Sequence, residues 1–473
     1  MNSWIQNEKK ALELINIAGT LWLDKNVELV IFRRSIADSR YTEVLNNLEY
    51  AAKFLNLPIN IDLILGLANE IAALDLAPTR LDLATLAKNY LEEHALTYAD
   101  FVQSKLADYI GKDKRVIKPK DVVLFGFGRI GRLAARELIQ QHGNGEQLVL
   151  KAIVTRGNSD EEIKKRSSLL RKDSVHGKFR GVILEDYENK ALIANGNVIH
   201  MIAADNSADI DYTAYGIQDA LLIDNSGIWR DAEKLGNHLK SKGISHVLLT
   251  APGKGNIPNI VYGVNHLTYK QEDTNIWSAA SCTTNAISPI IKVISDQFGI
   301  VSGHVETVHS YTNDQNLLDN YHKKYRRGRS APLNMVITET GAASAITKVM
   351  PEMAGKFTGN AVRVPTPNVS LAILNLQLSK SVNTLEEVNE VLRHAAMFGN
   401  LVEQIDFSVS NELVSSDCVG NPHASIVDSN ATLLSPDKKS AVLYVWYDNE
   451  YGYTRQVIRL AKYLAKVQRL TYY

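Results

Sequence analysis

Residue types and spacing come closest to chemistry in the run Ser281-Cys282-Thr283-Thr284-Asn285. The apolar stretch Ile276-Trp277-Ser278-Ala279-Ala280 reads as a strand leading in, and Ala286 to Ile294 reads as a helix leading out. A cysteine at a helix start meets backbone N–H groups and the positive end of the helix dipole, and both favour thiolate over thiol. The thiolate is a nucleophile able to carry a covalent intermediate. Ser281, Thr283 and Thr284 are placed to cap the helix or to donate hydrogen bonds to an anionic substrate. A second run, Gly126-Phe127-Gly128-Arg129-Ile130-Gly131-Arg132, follows the apolar Val122-Val123-Leu124-Phe125 and precedes a helical pattern through Leu133, Ala134, Leu138 and Ile139. In that strand–turn–helix setting the glycines predict a dinucleotide site. Gly126 permits the tight turn, Gly128 lets a pyrophosphate approach, and Gly131 lets helix and strand pack closely. Arg129 and Ile130, at the helix start, are read with them as cofactor contacts, since the helix N-terminus faces the phosphates.

The cysteine run resembles the active-site segment of the phosphorylating glyceraldehyde-3-phosphate dehydrogenases, and the resemblance extends in order from about Asp121 to Lys466. It implies catalysis by Cys282 and His309, the latter within Glu306-Thr307-Val308-His309-Ser310-Tyr311-Thr312. It implies one anion site for the substrate C3 phosphate at Thr312 and Arg363. It implies another for inorganic phosphate at Ser281, Thr283, Thr340, Gly341 and again Arg363. Ser226, Gly227, Thr250 and Asn449 map to the nicotinamide side of the cofactor, and the loop from Tyr321 to Ser330 maps to a contact between subunits of a homotetramer. The chain departs from the pattern at Asp314, where the usual hydroxyl contact to the C3 phosphate is not carried over. It departs also at Ala286, in place of a second cysteine, and at Phe125, in place of an asparagine. A hydrolysing cousin, erythrose-4-phosphate dehydrogenase, shares the cysteine and histidine but needs no phosphate segment such as Thr340-Gly341-Ala342-Ala343. A scaffold or regulatory protein acting through its N-terminal region is the alternative of another class.

Coenzyme choice turns on Thr155-Arg156-Gly157-Asn158. NAD enzymes usually end this second strand with an acid that binds the ribose 2′-hydroxyl. Here no acid stands at that point, and Arg156 can pair with a 2′-phosphate. NADP is therefore expected to be accepted, alongside NAD. The alternative left open is a solvated Arg156 with Asp160 or another group on the ribose.

Strands at Leu148–Val154, Leu222–Asp224 and His246–Thr250 alternate with helical runs, which predicts a doubly wound parallel sheet with ligands at the strand C-terminal ends. After Cys282, longer strands at Val301–Tyr311, Val369–Leu378 and Ala441–Tyr447 predict an α+β domain with a mainly antiparallel sheet. The expected division is a Rossmann domain over 119–281, completed by a C-terminal helix over 449–473, and a catalytic domain over 282–448. Residues 1–118 read as an all-α extension. Its stripes are Ala11, Leu12, Leu14, Ile15, Ala18 and Trp22, then Val44, Leu45, Leu48, Ala51, Ala52 and Leu55. A helix capped at Thr79 and another from Tyr98 to Gly111 complete it. No chemical motif appears there, and its partner is unknown.

The 473 residues suggest two or three domains. With 52 basic and 52 acidic residues, the charge points to neither nucleic acid nor an anionic membrane. Two cysteines, Cys282 and Cys418, give no disulfide framework and no metal motif, and fit a reducing compartment. No signal peptide or membrane-spanning run is read, so a cytoplasmic chain is expected.

Overall fold

Strand Lys120–Phe125 is buried at Val122, Val123 and Leu124, as a central strand covered on both faces must be. The structure is a computed structural model describing residues 2–93, 97–141, 147–270 and 272–473. The chain groups into two compact units. One is 120–140 with 150–465; the other is 1–119 with 141–149 and 466–473.

In the larger unit an eight-stranded sheet runs in the order Ile276–Ser278, Ile244–Leu249, Ala220–Asp224, Lys120–Phe125, Leu148–Thr155, Asn197–Ala203, Ala191–Ala194, Ile183–Asp186. The pairs out to Asn197–Ala203 whose register is defined are parallel, and the last two strands turn back antiparallel. The turns after three of these strands carry Gly126, Ser226 and Thr250, and Thr155 ends a fourth. This is the edge where a doubly wound sheet takes ligands. A second sheet runs Val336–Thr338, Phe357–Val364, Ile300–Ser310, Ser370–Leu378, Ser440–Tyr447, Ser425–Asp428, Ile405–Ser408. It is mainly antiparallel, with Ile300–Ser310 parallel to Phe357–Val364 and Ile405–Ser408 parallel to Ser425–Asp428. Helix Cys282–Phe298 follows the edge strand of the first sheet and packs Ile287, Ile290, Ile291 and Ile294, all fully buried, against the second. The fold is thus a Rossmann domain with an α+β catalytic domain, preceded by a helical region.

The smaller unit is mostly helical, as its periodicity predicts, yet it also carries a four-stranded sheet that the sequence reading lacked. Its order is Arg34–Ser35, Val27–Ile31, Thr79–Asp82, Leu470–Tyr472. Two expectations are corrected here. Thr79 does not cap a helix: Thr79–Asp82 is a strand, and Asp82 caps helix Leu83–Glu93 by accepting from Ala84 N at 3.0 Å. The C-terminal helix spans Tyr451–Leu464, not 449–473, and Leu470–Tyr472 pairs parallel with Thr79–Leu81. A smaller correction concerns helix Asn2–Lys25, whose buried face is Ala11, Leu14, Ala18 and Leu21, while Leu12 is 54% exposed.

Asp82 is the pivot of this unit. Phe32 and Arg33, at φ 45° and 67°, form the two-residue turn between Val27–Ile31 and Arg34–Ser35, without the Asn-Gly pair such turns favour. The fully buried Asp82 carboxylate accepts their N–H groups at 3.2 and 3.1 Å. Asp82→Ala leaves these donors and the helix cap unmatched, and is expected to cost about 3 kcal/mol. Hydrogen exchange at Phe32 and Arg33 should become fast in the variant; unchanged protection there would contradict this.

Candidate active site

The sharp turn before Cys282 is built by its neighbours. Ala280 sits at φ 55°, a region that costs a non-glycine residue about 1–3 kcal/mol and persists only where the surroundings over-determine it. Here Ala280 N donates to Ser278 Oγ at 3.0 Å, and the Tyr453 hydroxyl donates to Ala280 O at 2.9 Å. Asn285 Nδ2 donates to Ala279 O and Ser281 O at 2.8 and 2.9 Å. Ser281 caps the helix by accepting from Thr284 N at 3.0 Å.

Cys282 Sγ lies 3.6 Å from His309 Nε2, which comes from the end of strand Ile300–Ser310. On the other side of the imidazole, Nδ1 is 2.7 Å from Ser310 O and 2.9 Å from Arg363 Nη1. Nδ1 cannot donate to the carbonyl and accept from the guanidinium at once, so Arg363 controls the tautomer. Arg363 also donates to Ser310 O at 2.9 Å and reaches Thr312 Oγ1 at 3.5 Å. Burial, then the Arg363 charge, push the His309 pKa down to about 3, so the ring is neutral. Burial pushes the Cys282 thiol above its ordinary value, against the pull of the Arg363 charge and of hydrogen bonds around Thr283. The expected preference for thiolate is therefore outweighed in the resting site, because a half-buried sulfur loses more hydration than the helix start returns.

A cavity of about 610 Å³ brings together Arg129, Ile130, Thr250, Ser281, Cys282, His309, Thr312 and Asn449 from the expected set. Asn449 Oδ1 accepts from Ser370 Oγ at 2.9 Å, which turns its amide N–H groups to other partners. A second hollow of about 380 Å³ holds Gly126, Gly128, Thr155, Arg156 and Ser226. Gly131, Gly227, Thr283, Thr340, Gly341 and Arg363 line neither. The Thr283 hydroxyl is buried against Tyr447 Oη at 2.9 Å, and Thr340 Oγ1 accepts from Ala342 N at 3.2 Å.

The glycine turn fits a dinucleotide. Gly126 has φ 91°, a Cβ on Gly131 would meet Gly126 O at 2.4 Å, and a Cβ on Gly128 would meet open space. Arg129 offers a cofactor its backbone, since its side chain is committed to Glu450 at 2.5 Å and Asp173 at 3.3 Å. His176 Nε2 meets the same Glu450 at 2.9 Å.

Several site residues escaped the sequence reading. Asp173 and His176 carry no periodic signal. Arg327, in the basic loop, pairs with Asp314, which also accepts from Thr312 Oγ1. Asp314 thus holds the Thr312 hydroxyl and a second arginine. In the second hollow Arg166 joins Arg156; its Nε is buried without a hydrogen-bond partner, while its Nη2 lies 3.8 Å from Glu162 Oε1. Asp205 lines the same hollow, whereas Asp160 is paired with Lys190 at 2.7 Å and does not. Among the described residues no group of histidine, cysteine and acidic side chains could hold a metal, and no helix is long and apolar enough to cross a membrane.

Residues 120–232 match the model of the glyceraldehyde 3-phosphate dehydrogenase NAD binding domain, and 281–449 match that of the C-terminal domain. A glyceraldehyde-3-phosphate dehydrogenase-like protein of Pseudomonas aeruginosa is 51% identical over 96% of this chain and 98% of its own length. Glyceraldehyde-3-phosphate dehydrogenase 2 of a Nostoc species is 41% identical over 73% of this chain and 98% of its own. Glyceraldehyde-3-phosphate dehydrogenase 1 of Bacillus subtilis is 39% identical over 72% of this chain and 97% of its own. The chain belongs to the glyceraldehyde-3-phosphate dehydrogenase family and is an oxidoreductase of that type.

Proposed function

We propose that this chain oxidises glyceraldehyde 3-phosphate in the presence of inorganic phosphate and NAD or NADP, giving 1,3-bisphosphoglycerate through a thioester on Cys282. The observation that carries this is the 3.6 Å approach of Cys282 Sγ to a neutral imidazole, in a cavity shared with the start of the dinucleotide-binding helix. A bound nicotinamide supplies the hydride acceptor. Cys282 sulfur adds to the aldehyde carbon while its S–H proton passes, by way of His309, to the aldehyde oxygen, which the Cys282 N–H also stabilises; the product is a hemithioacetal. His309 then takes the proton of the hemithioacetal hydroxyl as hydride leaves the carbon. Inorganic phosphate attacks the thioester carbonyl and Cys282 leaves. Arg363 serves the phosphate groups; as an anion draws it off Nδ1, that nitrogen donates to Ser310 O and frees the Nε2 lone pair. Asn449 would orient the carboxamide through its free amide N–H groups.

Acceptance of NADP is supported by the two guanidiniums, Arg156 and Arg166, that line the second hollow. A homotetramer is supported by the loop from Tyr321 to Ser330 and the residues just before it, where Leu317, Leu318, Tyr321 and Tyr325 are 72–90% exposed. A cytoplasmic location fits the lack of a disulfide framework.

Cys282→Ser should lower kcat/KM by on the order of 10⁴-fold, and His309→Asn by on the order of 10²–10⁴-fold. Turnover should require inorganic phosphate; full speed in its absence would point to hydrolysis of the thioester. With the thiol raised and His309 neutral above about pH 3, alkylation of Cys282 by iodoacetamide should climb steadily toward alkaline pH, because only the thiolate reacts. A break near pH 6.5, the mark of an ordinary histidine, would contradict the assignment. Arg156→Gln and Arg166→Gln should each raise the KM for NADP about tenfold and leave that for NAD unchanged. Equal effects on both coenzymes would contradict the assignment to the 2′-phosphate.

A further inference from the structure

A charge is left over in the catalytic cavity. Of the residues that line it, Arg129 and Glu450 neutralise each other, with Asp173 and His176 completing the network. Cys282 is a thiol and His309 a neutral imidazole. Arg230 remains. Among the described lining residues it is the charged side chain with no hydrogen bond or ion pair to the protein, and it is exposed to the cavity.

Its backbone is fixed although its head is not. Arg230 O accepts from Lys254 N at 2.8 Å, which ties the turn after Ala220–Asp224 to the loop that carries Pro252. The preceding Trp229 stacks on Phe125 with centroids 6.0 Å apart, and the following Asp231 accepts from Lys234 N at 3.0 Å. The Arg230 charge is felt at the buried phenol of Tyr453, whose hydroxyl binds Ala280 O beside the Cys282 turn. Arg230 thus faces the same space as the helix start at Arg129 and Ile130 and the sulfur of Cys282. An uncompensated guanidinium on an anchored turn, in a cavity that also holds the start of the helix after the glycine turn, is a site for a phosphate oxygen.

We propose that Arg230 is a phosphate-binding residue of the catalytic cavity, which rests on the function proposed above and adds to it a cation outside the Arg363 cluster. Two sources carry this chemistry: the pyrophosphate of the dinucleotide and the phosphate of the triose.

Full-length wild type, Arg230→Gln and Arg230→Lys are titrated with NAD through tryptophan fluorescence, with no aldehyde present, at two salt concentrations. Each is then assayed on glyceraldehyde 3-phosphate and on glyceraldehyde. If the pyrophosphate is the ligand, Arg230→Gln raises the Kd for NAD about tenfold and flattens its salt dependence, and Arg230→Lys recovers part of the loss. If the triose phosphate is the ligand, Kd is unchanged and the preference in kcat/KM for the phosphorylated aldehyde falls about tenfold. An unchanged Kd together with an unchanged preference overturns the proposal. Equal damage in the Gln and Lys variants, with wild-type salt dependence, also overturns it, because packing alone then accounts for the loss. A wild type inactive on both aldehydes sinks the proposed function, and the NAD titration alone then decides for or against Arg230.

Discussion

The contact between Cys282 Sγ and His309 Nε2 depends on two sheets meeting at one point. The sulfur is delivered by a helix that starts where the parallel sheet ends, and the imidazole by the longest strand of the second sheet. Neither element holds its residue alone. The turn into the helix needs Ala280 at a positive φ, kept there by Tyr453 from the final helix and by Asn285. The imidazole is gripped from behind by Ser310 O and Arg363, the latter on the neighbouring parallel strand. A shift of either sheet would open the pair, so the packing of the whole larger unit bears on one short distance.

Electrostatics give the site its resting state. Burial holds both partners neutral, and the positive charge nearby sits on arginines, which cannot lose it at ordinary pH. Arg129 is spent on Glu450, so the start of the dinucleotide-binding helix is tied to the turn after strand Ser440–Tyr447, next to Asn449. The same turn is locked by Asp448, whose carboxylate accepts from Glu450 N, Tyr451 N and Gly420 N at 2.8–3.0 Å. Cofactor side and catalytic strand therefore share a rigid joint. Asp314 does corresponding work beside His309 and Arg363 by holding Thr312 and Arg327.

The Rossmann and catalytic sheets were legible because their signals are local. Val122–Phe125 with its glycines, and the alternation in Ile300–Ser310 and Ser440–Tyr447, lie within one element each. The helical stripes of the first hundred residues were legible for the same reason. What was missed depends on partners far apart in the chain. Thr79–Asp82 is too short to show a period, and its sheet neighbour is Leu470–Tyr472, some four hundred residues on. The paired side chains were hidden likewise: Asp173 and His176 acquire meaning only beside Arg129 and Glu450. At Cys282 the helix start is visible in sequence, whereas the burial that pushes the thiol up against it is not.

The claim on which the proposed chemistry stands is that oxidation leaves the acyl group on Cys282 sulfur. Enzyme mixed rapidly with glyceraldehyde 3-phosphate and dinucleotide, in the absence of inorganic phosphate, can be quenched in acid and its peptides weighed. The account predicts a burst of reduced dinucleotide equal to the sites present, with the matching mass gain on the peptide that contains Cys282. Continuous oxidation with no burst, and an unmodified Cys282 peptide, would contradict it.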